Sequence, residues 1–150
     1  LGQYDDTKIL NVGSNRWSFK PEIGFSKAFG PVIVELAPGM VFYTNNDDYL
    51  YGHTREQAPL FSLQGNISYS FAPSCWLAVN AAYFNGARSM IDDIPNDDTL
   101  VGVRVGATLA VPVNRYNSIK LNANTGWNSE GAHVFDSLGV VWQYRWGGGF

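Results

Sequence analysis

The sequence lacks any apolar run long enough to be a membrane helix. Such a helix needs about 20 consecutive apolar residues, and the longest candidate, Pro31 to Tyr43, is broken by Glu35 and Pro38. Cysteine is nearly absent. Cys75 stands alone, which excludes an intrachain disulfide and a cysteine-built metal site. Charge is sparse, at 15% of residues, against roughly 25% in soluble domains. The formal net charge is −3 and the basic residues are scattered, so the concentrated basic footprint of a nucleic-acid binder is missing. No stretch shows helical periodicity comparable in quality to the chain's period-two pattern.

What is present is alternation. Aromatic residues are 15% of the 150-residue chain, and there are 16 glycines. The composition fits one glycine- and aromatic-rich all-β domain over 1–150. From Leu138 the apolar residues fall on every second position: Leu138, Val140, Trp142, Tyr144 and Trp146, then Gly148 and the terminal Phe150. Gly139, Val141, Gln143 and Arg145 lie between them. A period of two is a strand, because successive side chains point to opposite faces of the pleat. The pattern resembles the closing strand of a bacterial outer-membrane β-barrel.

The same rhythm predicts six more strands: Arg16–Phe29, Val32–Thr44, Leu60–Phe71, Trp76–Arg88, Thr99–Val111 and Ile119–Trp127. Each is long enough for the ~9–11 residues of a tilted membrane strand. Pro21 and Pro38 fall inside two of them, although proline cannot donate to a ladder. Tyr43, Trp76 and Phe84 sit in the polar phase of theirs.

Alternation alone fits either a soluble sandwich, apolar face inward, or a membrane barrel, apolar face outward. Three features select the barrel. The polar phases carry mainly Ser, Asn, Gln, Gly and Ala, whereas a sheet facing water usually carries more charge. The strand charges that occur, Arg16, Lys20, Glu22, Glu35, Arg88, Arg104, Lys120 and Arg145, share the phase opposite the apolar row. Only Lys27 departs, near a strand end from which it can snorkel. Trp17, Tyr69, Trp127, Trp142, Tyr144 and Trp146 fall near strand ends, as interfacial girdles require. The mean hydropathy of −0.12 is no objection, since lipid-facing and lumen-facing residues average out.

The connections give an orientation. Gly30-Pro31, Ala72–Cys75 and Pro112–Ser118 are short, whereas Asn45–Pro59, Ser89–Asp98 and Asn128–Phe135 are acidic and generally longer. Barrels have short periplasmic turns and longer outer loops, so the C-terminus is expected on the periplasmic side. Residues 1–15 read as a further outer loop. Seven strands is an odd count, and bacterial single-chain barrels are even. The sequence is therefore expected to be the C-terminal portion of a larger antiparallel up-and-down transmembrane barrel of ~12 strands.

Several segments resemble the MetA-pathway phenol-degradation family of outer-membrane transporters. They are Asn11 to Gly24, which includes Asn-Arg-Trp-Ser-Phe-Lys-Pro, Pro59 to Gly65, Trp76 to Ala81, Arg104-Val105-Gly106 and Trp142 to Trp146. The resemblance covers nearly the whole chain. It implies passage of small hydrophobic or aromatic compounds and carries over no catalytic residue. Ala87 stands where a second glycine of a Gly-Gly-Arg stretch is expected.

The candidate functional residues are those expected to line the lumen: Arg16, Lys20, Glu22, Glu35, Gln64, Asn66, Asn80, Arg104, Lys120, Asn122, Gln143 and Arg145. Such charges tune permeant choice, or they pair with one another and fill the wall. The expected partners are the lipid bilayer, a small-molecule permeant and, through the strand ending in Phe150, the outer-membrane assembly machinery. No nucleic acid, cofactor or metal is expected. Asp47, Asp48, Asp92, Asp93, Asp97 and Asp98 lack calcium-loop spacing and read as a solvated acidic surface. His133, Asp136 and Ser137 suggest a hydrolytic triad, but the last two are adjacent on a strand and face opposite ways. The alternatives are a structural or adhesive barrel with a filled lumen, and a soluble β-sandwich binding protein.

Overall fold

A computed structural model describes residues 3–8, 10–128 and 133–146, the side chain of His133 excepted. The described residues form an all-β structure of twelve strands. These are β1 (Ser18–Phe19), β2 (Phe25–Phe29), β3 (Val32–Tyr43), β4 (Asn46–Tyr49), β5 (His53–Gln57) and β6 (Leu60–Ala72). They continue as β7 (Cys75–Gly86), β8 (Ser89–Ile91), β9 (Ile94–Pro95), β10 (Leu100–Pro112), β11 (Asn117–Asn128) and β12 (His133–Tyr144).

The larger sheet runs β1-β3-β6-β7-β10-β11-β12, with β2 also on β3. It is an antiparallel up-and-down meander, interrupted in sequence only by the small sheet β4-β5-β8-β9. Among the described residues β12 pairs only with β11, and β1 and β2 pair only with β3. The sheet is therefore not closed on itself.

The first expected strand is split. Ser18 faces Tyr43 and Phe19 faces Phe42 in β1, Glu22 bridges Gly39, and Phe25 faces Leu36 in β2. No residue is inserted or skipped along that series. The interruption arises because Pro21 and Pro38 have no N–H and serve only as acceptors, from Met40 N and Ile23 N, each at 3.1 Å.

The outer connections differ more from expectation. Asn45–Pro59 and Ser89–Asp98 are not open loops but hold β4, β5, β8 and β9. The closing strand begins at His133 and so takes in the last three residues of the expected loop Asn128–Phe135. Phe150, on which the expected contact with assembly machinery rests, lies outside the described residues.

The chain divides into two compact units. One comprises Leu1–Glu22, Gly39–Ser62 and Phe84–Val101, and contains the small sheet. Within it the expected loop of residues 1–15 is tied down by Tyr4, whose hydroxyl donates to Asp48 O at 2.9 Å, and by Tyr51 N donating to Asp6 O at 3.0 Å. The other unit comprises Ile23–Pro38, Leu63–Tyr83 and Gly102–Phe150, and holds most of the long strands.

Among the described residues neither unit has an apolar core: the buried residues are Leu60, Ala78, Ala87 and Ala110, with Asn46, Ser62, Ser89, Ser118 and the glycines Gly39, Gly106 and Gly126. The large apolar residues lie on the surface instead: Leu138 is 88% exposed, Val140 74%, Trp142 69% and Phe25 60%. A water-soluble sandwich would bury these residues and expose the polar phase. An apolar sheet face with no protein cover is instead the face a barrel presents to lipid.

Aromatic residues gather on this face near the short turns. Tyr144 lies 6.4 Å from Tyr116, 6.4 Å from Trp142 and 6.3 Å from Trp146, and Tyr69 meets Phe71 edge-on at 4.9 Å. Trp142 donates its indole N–H to Asn117 at 2.9 Å. Lys27, the one basic residue in the apolar phase, lies 5.2 Å from the Phe29 ring beside the Gly30-Pro31 turn. Asp136 corrects the expectation that strand charges otherwise keep to one phase. It lies inside β12, in the apolar row, opposite Thr125.

Candidate functional site

Because side chains alternate, the polar phase of every long strand shares one face of the sheet. Long and short side chains are interleaved across it. At Glu22, Arg104, Lys120, Asn122 and Asn124 one residue opposite the long polar side chain is glycine or alanine.

In the first unit Lys20 and Glu22 form an ion pair at 2.6 Å. A Cβ added to Gly39 would meet Glu22 and Lys20 at 3.3 Å and the Ser62 hydroxyl at 3.1 Å, so glycine leaves the pair its seat. Arg16 stacks over the Tyr43 ring at 4.8 Å and donates to Gln57 Oε1.

In the second unit Asn66 donates to Glu35 at 2.8 Å. Gln64, Asn66 and Asn80 line one open cavity of about 490 Å³. Gly106 faces Asn124, and the amide oxygens of Asn80 and Asn124 close over it. Gly139 faces Asn122, whose amide would lie 2.6 Å from an added Cβ. Gly126 lies between Arg104 and Phe135 in register. The Phe135 ring covers it, and the Arg104 guanidinium sits 5.5 Å from that ring. Lys120, opposite the buried Ala110, lies 5.7 Å from the Trp76 ring. Gln143 faces Ser118, and Arg145 Nη1 lies 3.3 Å from the Ser74 hydroxyl.

All twelve candidate residues thus fall in the polar phase. The structure brings together Lys20 with Glu22 and Glu35 with Asn66, and places Arg104, Lys120 and Arg145 at separate points along the strands. The sequence reading missed Tyr43, Trp76 and Phe135. Tyr43 and Trp76 were aromatics out of phase, and each proves to be the platform of a cation. That mismatch was the signal available. Phe135 was hidden because it was assigned to a loop.

The acidic outer segments do local structural work. Asp92 and Asp93 have φ of +49° and +64° and form a two-residue turn between the paired Ile91 and Ile94. Asp92 accepts from Thr54 N at 2.9 Å and meets His53 Nδ1 at 2.5 Å. Asp98 accepts from both the amide and the hydroxyl of Ser89, at 2.8 and 2.5 Å. Among the described residues no three acids, histidines or cysteines assemble into a metal site.

The Ser89 hydroxyl, followed by its amide, pulls Asp98 below its ordinary value of 3.8. A carboxyl lowered on folding contributes stability that is complete above its ordinary value and lost as pH falls through the lowered one. The protection of the Ser89 amide, its exchange rate relative to unstructured peptide at the same pH, is therefore expected to be high at neutral pH and to fall on acidification below about 3.8. The Asp98→Asn variant should lose that acid dependence. Protection with the same pH profile in the variant would show that Asp98 does not hold the segment.

The suggested triad does not assemble among the described residues. Asp136 and Ser137 are consecutive on β12 and point to opposite faces, with the Ser137 hydroxyl accepting from Asn124 at 3.3 Å. The His133 side chain is outside the described residues. Cys75 is the half-buried first residue of β7.

The family described as "Putative MetA-pathway of phenol degradation" matches residues 1–144. No curated protein sequence matches the chain. Among solved structures, an outer membrane channel from Pseudomonas putida F1 superposes with a TM-score of 0.79 at 22% identity, over 95% of this chain and 54% of that one. The chain thus spans about half the length of that channel, and the likeness is one of fold, an antiparallel transmembrane β-barrel.

Proposed function

The chain belongs to the MetA-pathway phenol-degradation family, and from that premise we propose that it forms part of the wall of an outer-membrane channel. The observation that carries this reading is the inversion of the sheet. Its apolar face is bare and aromatic toward the turns, and its other face carries the amides, hydroxyls and strand charges among small residues. In this reading the apolar face meets lipid in a bacterial outer membrane and the polar face lines a lumen. The short turns and the C-terminus lie on the periplasmic side, with the small sheet outside. The unpaired flanks of the larger sheet would pair with further strands, to a total of about twelve, within the range of bacterial barrels.

Passage is diffusive and needs no cofactor. The interleaving of long side chains over glycine favours an open lumen, because it keeps them against the wall rather than across the pore. Small hydrophobic or aromatic compounds are the proposed permeants, in line with the family. Conductance of the full-length protein in planar bilayers tests this. Discrete open-channel steps, with faster solute entry into protein-loaded vesicles, are the expected result. A closed trace without solute flux would favour a filled structural barrel.

A further inference from the structure

At its short-turn end the second unit holds a cavity built by three separate pieces of chain. β6 and β7 are joined there by Pro73 and Ser74 alone, and β10 and β11 by residues 113–116. Asn114 holds the second turn, its amide oxygen accepting from Tyr116 N at 2.9 Å and Asn117 N at 3.0 Å. Arg145, just past β12, is fixed beside that turn because its own N–H donates to Tyr116 O at 2.7 Å. Between these pieces lies a cavity of about 240 Å³, lined by Ser74, Arg115, Ser118 and Arg145 among others. All of them belong to one compact unit.

The lining is a set of donors around positive charge. Arg145 Nη1 donates to the Ser74 hydroxyl at 3.3 Å, which leaves that hydroxyl's own proton for another acceptor. Arg115 stands exposed at the turn tip. No acidic side chain lines the cavity among the described residues. Ser118 is 4% exposed, and its buried hydroxyl has no hydrogen-bond partner. An unsatisfied buried group of this kind costs about 1–3 kcal/mol, so the site lacks an acceptor. Two guanidiniums call for that acceptor to be an anion.

We propose that this cavity binds a phosphate group, held by Arg115 and Arg145 and receiving hydrogen bonds from the hydroxyls of Ser74 and Ser118. The donors come from two turns and a strand end. The tetrahedral oxygens of phosphate can reach all three, whereas the planar oxygens of a carboxylate cannot. The apolar face at the same end carries Tyr116, Trp142, Tyr144 and Trp146, the aromatics of a membrane interface. A soluble phosphate and a phospholipid headgroup are therefore both within reach of this level of the wall. The site goes beyond the channel reading and does not depend on passage through a lumen.

The test is calorimetric titration of the full-length protein in non-ionic detergent, with inorganic phosphate in one arm and a short-chain phosphatidic acid in the other. Saturable binding of inorganic phosphate supports the site with a soluble source. Saturable binding of phosphatidic acid alone supports it with a headgroup. In either case Arg145→Gln should weaken binding about tenfold, as the loss of charge-assisted hydrogen bonds does, and Ser118→Ala severalfold. Arg115→Gln changes an exposed turn residue that folding does not need, and should weaken binding as well. Lys27→Gln, on the opposite face, should leave it unchanged. Absence of saturable binding in both arms, acetate bound as tightly as phosphate, or binding undiminished in both arginine variants would overturn the proposal.

Discussion

Arginine at position 121 is expected to destabilise the protein in a bilayer far more than arginine at position 108. Leu121 lies in the middle of β11, 46% exposed, between Leu109 on β10 and Val140 on β12. All three belong to the bare apolar face. An arginine there would meet hydrocarbon, at a cost of about 2–4 kcal/mol near the bilayer midplane. Thr108 belongs to the next row and the other face. It is opposite Asn122 and lines an open cavity of about 380 Å³. An arginine at 108 would have room and polar neighbours, with an expected cost under about 1 kcal/mol, as for most changes away from packed positions. Equilibrium unfolding of protein refolded into lipid vesicles measures both. Comparable losses would mean that the two faces are not in different solvents. A larger loss for Thr108→Arg would mean that the sheet is oriented as in a soluble protein.

The same contrast shows how much of the fold was legible in the residues. Alternation identified all the long strands, because burial acts on every second side chain and leaves its mark on each. Lys20, Glu35, Arg104 and Lys120 stand in the polar phase of the alternation, and in the channel reading a charge in the other phase would meet lipid, at a cost high enough to exclude it almost everywhere. Alternation failed in the outer segments. β8 and β9 have three and two residues, too few for a period to emerge, and their turn is made by Asp92 and Asp93 rather than the more usual Asn-Gly or Asp-Gly. It failed again at the start of β12, where Asp136 interrupts the apolar row and residues 133–135 read as the end of a loop. Within the polar wall the residue types were legible but the pairings were not. That Lys20 meets Glu22 while Arg104 meets Phe135 depends on which strand lies beside which, and on the glycines that let the longer chains lie flat.

Gly86 carries the largest expected effect outside the apolar face. β7 ends there, and the chain turns through Ala87 and Arg88 into β8. Opposite it β5 passes through Ala58 and Pro59 into β6. The two bends are joined by Ala87 N donating to Pro59 O at 3.1 Å, Ala58 N to Arg88 O at 2.9 Å and Gln57 Nε2 to Ala87 O at 2.9 Å. Gly86 itself has φ of +126°, and a Cβ there would collide with the Pro59 carbonyl oxygen and sit 3.3 Å from Leu60 Cα. Both obstacles are backbone and cannot rotate away. Gly86→Ala is expected to cost about 2–5 kcal/mol, from an L-residue forced into glycine's conformation and from overlap in a packed site. Ala87 makes the opposite case one residue on. It already adopts φ of +57° with a methyl only 4% exposed. Ala87→Gly would relieve about 1–2 kcal/mol of left-handed strain and forfeit about 0.8 kcal/mol of buried methyl. Its expected effect is neutral to slightly stabilising. Thermal unfolding, with proteolysis of the segment between Asn45 and Asp98 as the local reporter, separates these outcomes. A Gly86→Ala variant as stable and as protease-resistant as the parent would show that the bend does not depend on this residue. An Ala87→Gly variant that unfolds early would show that the methyl, and not the strain, governs the corner.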